Sequence, residues 1–410
     1  MIRVLIFTAV ILTAFGCATA GTTDLMSGIS PGGADGKRAD SVFIGGMADF
    51  SIELFKKSVT AGENSLISPL SVTLALAMTA NGAGGETLAQ MEERLGLNIT
   101  IDELNEYLRG YVKGLPSSEK STLNIVNSIW LRDDGNRLRA DAGFLQKNAD
   151  YYGASAYKAA FNAQTLRNIN GWVKSNTGGM INKIIDKIEE TDLMYLINAV
   201  MFDAEWENVY FKENVRKGDF TDINGAARRV DFMHSTDGKY LDDGMATGFI
   251  KPYANGGYSF AALLPNEDVT IEAYIKALTS HGFFNTLQNA RETIVYASMP
   301  KFEYEYGIRM NEALIELGIN DAFDMDKADF SSMAVSPDGN LHIALVLHKT
   351  FISVDELGTK AGAVTMVSMA GGSSAPSDIK TVRLDRPFVY AIIHNATNLP
   401  IFIGTLMKTD

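Results

Sequence analysis

Val382-Arg383-Leu384-Asp385-Arg386-Pro387-Phe388-Val389-Tyr390-Ala391-Ile392 is the stretch on which the reading of this chain turns. It lies inside an apolar run, Thr381 to His394, rich in the β-branched and aromatic residues that suit a pleated surface. A further strand, Pro400 to Met407, follows across Asn395-Ala396-Thr397-Asn398. Upstream, Leu341 to Val354 reads as one long strand. Between them stands Glu356 to Ser377, ELGTKAGAVTMVSMAGGSSAPS, without an aromatic residue and with two charges, Glu356 and Lys360. Connections this long with no structure of their own are uncommon inside a domain, and are functional or disordered. The small residues predict an extended, exposed, conformationally permissive segment.

The rest of the chain supplies a domain for that loop to stand on. Its 410 residues, 46% hydrophobic and 21% charged, can bury a large core. A net charge of −13, with Lys and Arg scattered rather than striped, argues against nucleic acid as the main partner. Residues 1–20 read as a targeting segment, with Arg3, the apolar run Val4 to Phe15, and the single cysteine, Cys17. That run is too short for a mature membrane span. Ala14-Phe15-Gly16-Cys17 is similar to a bacterial lipoprotein signal, which would leave Cys17 lipidated, while Ala18-Thr19-Ala20 offers an ordinary secretory cleavage site. The expectation is an exported bacterial protein, lipid-anchored through Cys17 at the outer membrane or cell surface, or else secreted or periplasmic. A lone cysteine allows no disulfide framework. Residues 21–40 read as a flexible Gly/Ser tether. From residue 41 to 410 no second linker or repeat interrupts the chain, which predicts one domain.

Met47 to Val59 carries Phe50, Leu54 and Phe55 at helical spacing. Leu70 to Ala80 is apolar nearly all round, as an interior helix is. Ser68 is placed to cap it, with Pro69 at the first turn. Ile169 to Lys174 and Met180 to Ile188 read as helical turns, and Tyr195 to Asp203 as a central strand with Asn198 to satisfy. Helices crowd the first half and strands the second, which predicts an α+β fold with mostly antiparallel sheets.

An enzyme site is hard to assemble from these residues. The histidines, at 234, 281, 342, 348 and 394, form no HExxH pattern or zinc-ligand spacing. No G-x-S-x-G elbow is present. Asn81-Gly82-Ala83-Gly84-Gly85 follows a helix and lacks the Gly-Lys-Ser/Thr ending of a phosphate loop. No cofactor is expected. His342 and His348, six apart, fall on one face of the predicted strand, amid Leu, Ile and Val that favour a hydrogen-bonded core histidine.

Val382 to Ile392 resembles the serpin signature at every position. Asn64 to Ala80 (NSLISPLSVTLALAMTA) is similar to the buried second helix of that family. Ile169-Asn170-Gly171-Trp172-Val173 with Thr177-Gly178-Gly179-Met180-Ile181, Leu196 to Phe202 through Trp206, Met299 to Phe302 and Leu317-Gly318-Ile319 follow in family order. The resemblance covers about Ser41 to Lys408. It implies three β-sheets, eight or nine helices and an exposed reactive loop at about 356–380. It also implies that Ser68, Pro69, Ser71, Asn198 and His348 form the cluster that controls opening of the main sheet. A polar cluster in a core must bond to itself, and can exchange partners when strands part.

The family resemblance turns the loop into bait for a serine or cysteine endopeptidase, trapped as an acyl-enzyme when the cut loop enters the main sheet. The hinge would comprise Glu356, Gly358, Thr359, Lys360, Ala361, Gly362 and Ala363. Thr359, Ala361, Ala363 and Thr365, all small, alternate with Lys360, Gly362, Val364 and Met366. No proline precedes Pro376, so no ladder bond is lost. Such a pattern suits an inhibitor; the alternative is a non-inhibitory serpin acting as a binding or chaperone module. Lys360 and Gly362 depart from the usual Glu and Ala. Counting from Glu356 places the reactive bond at Gly372–Ser373, with Met369–Ala370 and Ala370–Gly371 as alternatives that suit elastase-like or subtilisin-like proteases. Only Arg109 and Lys113 are basic within Ile101 to Gly114, which argues against heparin. A monomer is expected, touching a membrane only through its lipid.

Overall fold

The computed structural model describes residues 21–96, 99–337, 339–359 and 378–409. Cys17, the hinge residues Lys360, Ala361, Gly362 and Ala363, and the reactive-bond candidates Met369 to Ser373 lie outside the described residues.

Strand β1 (Thr22–Asp24) and helix α1 (Ser41–Ser58) open the described chain. β2 (Ser65–Ile67), α2 (Pro69–Ala80), α3 (Gly85–Gly96) and α4 (Ile101–Lys113) follow, then β3 (Ser121–Arg132), β4 (Arg139–Ala140), α5 (Ala142–Tyr152), β5 (Ser155–Ala159), α6 (Ala163–Asn176) and β6 (Met194–Glu205). The second half is richer in strands: β7 (Val215–Thr221), β8 (Ala227–Asp242), β9 (Ala246–Pro252), β10 (Tyr258–Pro265), α7 (Ile271–Ala277), α8 (Ser280–Gln288), β11 (Arg291–Pro300) and β12 (Phe302–Arg309). α9 (Asn311–Glu316), β13 (Ala334–Val335), β14 (Leu345–Val354), β15 (Gly358–Thr359), β16 (Lys380–Arg383), β17 (Phe388–His394) and β18 (Pro400–Leu406) complete it.

These strands form three sheets. The main one runs β1-β5-β3-β6-β15-β14-β12, and β6 also pairs β14 directly. A second runs β16-β11-β8-β9-β10-β17-β18-β2 with β7 on β8, and β13 with β4 makes a short third. Pairing is antiparallel except at β3–β5, β6–β14 and β11–β16. Helix α2 lies between the two large sheets, touching β3 and β6 on one side and β18 on the other. All twelve of its residues are buried, as its lack of a polar face requires. Each large apolar side chain so buried contributes about 1.5–3 kcal/mol. The expected α+β fold, with three mostly antiparallel sheets and eight or nine helices, matches this architecture, which has three sheets and nine α-helices among the described residues.

Four expectations are corrected. Thr381 to His394 is not one strand: β16 and β17 join different neighbours, because Pro387 lacks an N–H and Thr221 N–H bonds Asp385 O at 2.8 Å across the break. The strand before the loop starts at Leu345, so His342 precedes it and does not share its face with His348. Met180 to Ile188 is not helical. Gly178 and Gly179 turn the chain at φ 58° and 80°, and Asn170 Oδ1 then accepts the Ile184 and Ile185 N–H groups at 2.8 and 3.1 Å.

The fourth concerns residues 21–40, which are no free tether. β1 adds an antiparallel edge strand to β5, pairing Thr22 with Ala159. The segment then crosses α4 where Gly36 meets Gly110, so close that a Cβ on Gly36 would stand 2.4 Å from Gly110 Cα. Lys37 pairs with Glu103, and Asp150 Oδ1 accepts from Gly32 N–H. Backbone ladder and glycine contact, invisible in a Gly/Ser-rich composition, hold it down.

Candidate functional site

The loop leaves the main sheet through a turn built on Asp355. Its Oδ1 accepts the N–H groups of Leu357 (2.8 Å) and Gly358 (3.2 Å). The chain then turns inward as β15 and pairs on both sides. Gly358 and Thr359 face Glu205 and Ala204 of β6, and Thr359 faces Val354 of β14. A Cβ at Gly358 would lie 2.0 Å from Ala204 O, so no other residue fits that pairing. Thr359 is buried, and its hydroxyl meets Tyr253 OH at 2.5 Å.

Trp206, at the end of β6, organises this corner. Its N–H donates to Leu357 O (2.8 Å) and its indole N–H to Asp355 O (2.9 Å), while its ring stacks on Tyr253 at 4.5 Å. Tyr210 N–H donates to Glu356 O at 2.9 Å. The Glu356 carboxylate pairs with Lys301 Nζ at 2.7 Å, both side chains about one-third exposed. Such a half-wet pair contributes about 1 kcal/mol or less and serves mainly to orient the turn. Beneath lies buried Lys251, 3.6 Å from Asp237 and over the Tyr210 ring at 4.4 Å. Burial pulls the Lys251 ammonium below its ordinary pKa, with Asp237 opposing.

Deeper in the same inter-strand line sits the polar cluster. β6 and β14 run parallel here with Asn198 opposite His348. His348 Nε2 accepts Ser68 N–H at 3.0 Å, and its Nδ1–H donates to Asn198 Oδ1. Asn198 Nδ2 donates to Ser71 O (2.9 Å), Ser71 Oγ and Asn127 Oδ1. Burial holds the His348 pKa down to about 3, so the ring is neutral at ordinary pH. Pro69 occupies the first helical position as expected. Ser68 does stand at the N-cap, but its side chain makes no capping bond; its Oγ is buried without a hydrogen-bond partner and its N–H is committed to His348.

Ser68, Ser71, Asn198 and His348 thus form one hydrogen-bonded cluster, with Pro69 starting the helix that carries the serines. Of the hinge residues described, Glu356, Gly358 and Thr359 meet at the upper end of the same line. Trp206, Tyr253, Asp355 and Asn127 were not singled out from the sequence. Trp206 and Lys301 fell within quoted stretches, but only the fold reveals their contacts with the loop root.

Residues 46–409 match the family described as Serpin (serine protease inhibitor). The chain belongs to the serpin family. A serpin-like protein of Thermococcus kodakarensis is 31% identical over 368 residues, covering 88% of this chain and 84% of its own. The thermophilic serpin Tengpin in its native state has a TM-score of 0.90 at 55% identity, covering 95% of this chain and all of that one. Tengpin in its latent state scores 0.81 at 54% identity, covering 92% of this chain and all of that one. Serpins are generally protease inhibitors and not catalysts, which fits a site made of hinge, turn and buried hydrogen bonds.

Proposed function

We propose that this serpin is a suicide-substrate inhibitor of serine endopeptidases of elastase-like or subtilisin-like preference. The observation that carries the reading is the double pairing of β15. The loop root already lies between β6 and β14, in register with both. Continuing that register two residues at a time sets Ala361 between Phe202 and Ile352, Ala363 between Val200 and Thr350, and Thr365 between Asn198 and His348. Each inward residue is small, and the first polar one would arrive at the polar cluster. Its hydroxyl could take over the bond that His348 now gives Asn198, so parting the strands would strand no buried polar group. Below Thr359 the two strands are still paired with each other from Leu345–Tyr195 to Thr350–Val200, so insertion has a closed sheet to open.

Chemically, the protease serine hydroxyl attacks the carbonyl of Gly372, forming an ester. The amide bond to Ser373 breaks, and the serine proton goes through the protease base to the leaving amine. Water would normally cleave the ester. Here the freed strand fills the sheet first. In the same register Met369 reaches Met194 at the far end of β6, ten residues and roughly 33 Å below Thr359. Only Ala370 to Gly372 would then separate the inserted strand from the ester, which pulls the protease against the body of the inhibitor. Met369–Ala370 and Ala370–Gly371 remain the competing bonds, and the lack of Arg or Lys between Val364 and Ile379 disfavours trypsin-like targets. We place the protein outside the cytoplasm, held through a lipid on Cys17.

The test mixes the protein with subtilisin or an elastase and resolves the products under denaturing conditions. A covalent band at the summed mass is expected, with mass spectrometry of the released fragment giving the bond. Cleavage without that band at any ratio would reject inhibition in favour of a binding or chaperone role.

A further inference from the structure

Strand β9 reads Ala246-Thr247-Gly248-Phe249-Ile250-Lys251-Pro252, and Lys251 is its one charge. The Lys251 side chain is 3% exposed and that of its partner Asp237 6%. Taking two charges out of water is costly, and only a well-made pair repays it. Here the closest approach, 3.6 Å, is longer than an ordinary hydrogen bond. Aromatic faces supply the rest of the ammonium's surroundings. Nζ lies 4.4 Å from the Tyr210 ring centroid and 5.6 Å from that of Trp206, both within reach of a cation–π contact. A chain of hydroxyls closes the circuit. Ser235 Oγ–H donates to Asp237 Oδ2 at 2.6 Å, and Tyr210 OH meets Ser235 Oγ at 3.3 Å. Tyr210 is thus fixed at its hydroxyl through the anion and at its face by the cation.

Both rings belong to residues that hold the loop root. Tyr210 N–H donates to Glu356 O, Trp206 N–H to Leu357 O, and the Trp206 indole N–H to Asp355 O. Three consecutive carbonyls of the turn therefore hang on the two residues whose rings Lys251 underlies. An apolar pair of similar volume would cost less to bury, so the charges call for a role beyond packing. We propose that Lys251 is a positioning residue for the loop root. Its ammonium fixes the Tyr210 and Trp206 rings and so aligns the donors to Asp355, Glu356 and Leu357, while Asp237 and Ser235 keep that charge in place. The alignment rests on this geometry alone; its bearing on protease capture rests on the proposed insertion of the loop.

The test removes both charges. Lys251→Met with Asp237→Asn keeps an acceptor for Ser235 and should melt at or above the wild type, since neutral replacement of a buried pair is seldom destabilising. Lys251→Met alone leaves a buried carboxylate unpaired and should melt lower. In the double variant, hydrogen exchange in peptides spanning 206–210 and 355–359 should quicken about threefold or more, the loss expected of a contact of this class. Peptides from β17 should be unchanged, and Lys251→Arg, which keeps a cation on the rings, should exchange nearly as the wild type does. Tyr210→Leu should quicken exchange at 355–359 by itself and add little to the double variant, because the cation acts through that ring. Unchanged exchange in a double variant that melts with the wild type, or full additivity with Tyr210→Leu, would overturn the proposal. Should the double variant fail to fold, unchanged exchange in Tyr210→Leu would overturn it. With a protease, the double variant should be consumed about threefold more per enzyme silenced. An unchanged ratio beside faster exchange would overturn the bearing on capture. Absence of a covalent band in the wild type would reject the inhibitor reading and leave the exchange result untouched.

Discussion

A single histidine carries the clearest pH signature in the molecule. His348 is buried, neutral, and bonded through both ring nitrogens to Asn198 and Ser68 N–H. Burial lowers its pKa from 6.5 to about 3. Between those values the unfolded chain takes up a proton that the folded one refuses. Its contribution to stability is therefore complete above pH 6.5 and is lost as pH falls toward 3, by up to about 1.4 kcal/mol per unit. His348→Gln removes that titration while leaving a polar group. Denaturant unfolding should show wild type ahead of the variant at pH 7 and the gap narrowing at pH 5. A gap independent of pH would mean that His348 is not held neutral. The residue's place in a core was legible from its Leu, Ile and Val neighbours in sequence. Its partners were not, since Ser68 is 280 positions away.

At the scale of the element, two residues of β15 decide whether the loop starts inside or outside the sheet. Gly358 is there because Ala204 O occupies the space of any Cβ. Gly358→Val should expel β15 and raise the barrier to insertion. About 1.4 kcal/mol on that barrier is tenfold in rate, so the share of protease encounters ending in simple cleavage should rise about tenfold. Counting moles of inhibitor consumed per mole of protease silenced measures it; an unchanged ratio would show that the pre-paired root does not matter. The alternation of Thr359, Ala361, Ala363 and Thr365 could be read directly from the sequence, because strand period is a local property. That β15 is already paired could not, because it depends on β6 and β14, which approach from separate parts of the chain. β1 shows the same limit. Thr22–Asp24 has little strand character of its own and becomes a strand only because β5 offers an open edge.

For the whole molecule, the proposed insertion would add ten residues, Lys360 to Met369, to the ladder between β6 and β14. Cleaving the loop with a protease that is then removed should therefore raise the thermal midpoint, by roughly 10 °C or more if several kcal/mol are recovered. No rise after complete cleavage would mean that the cut loop stays out. What the sequence determined by itself was the family, through the Val382 to Ile392 signature and the ordered motifs around it. It also determined the interior helix at Leu70 to Ala80 and a loop of small, alternating residues without early proline. All of these are local patterns of side-chain size, polarity and period, and they survive in one dimension. Only the tertiary structure decided that residues 21–40 are pinned across α4, that Trp206 and Lys301 hold the loop root, and that Asn127 and Ser71 accept from Asn198. Those facts depend on which distant backbones and side chains meet, and close packing rather than local propensity settles such meetings.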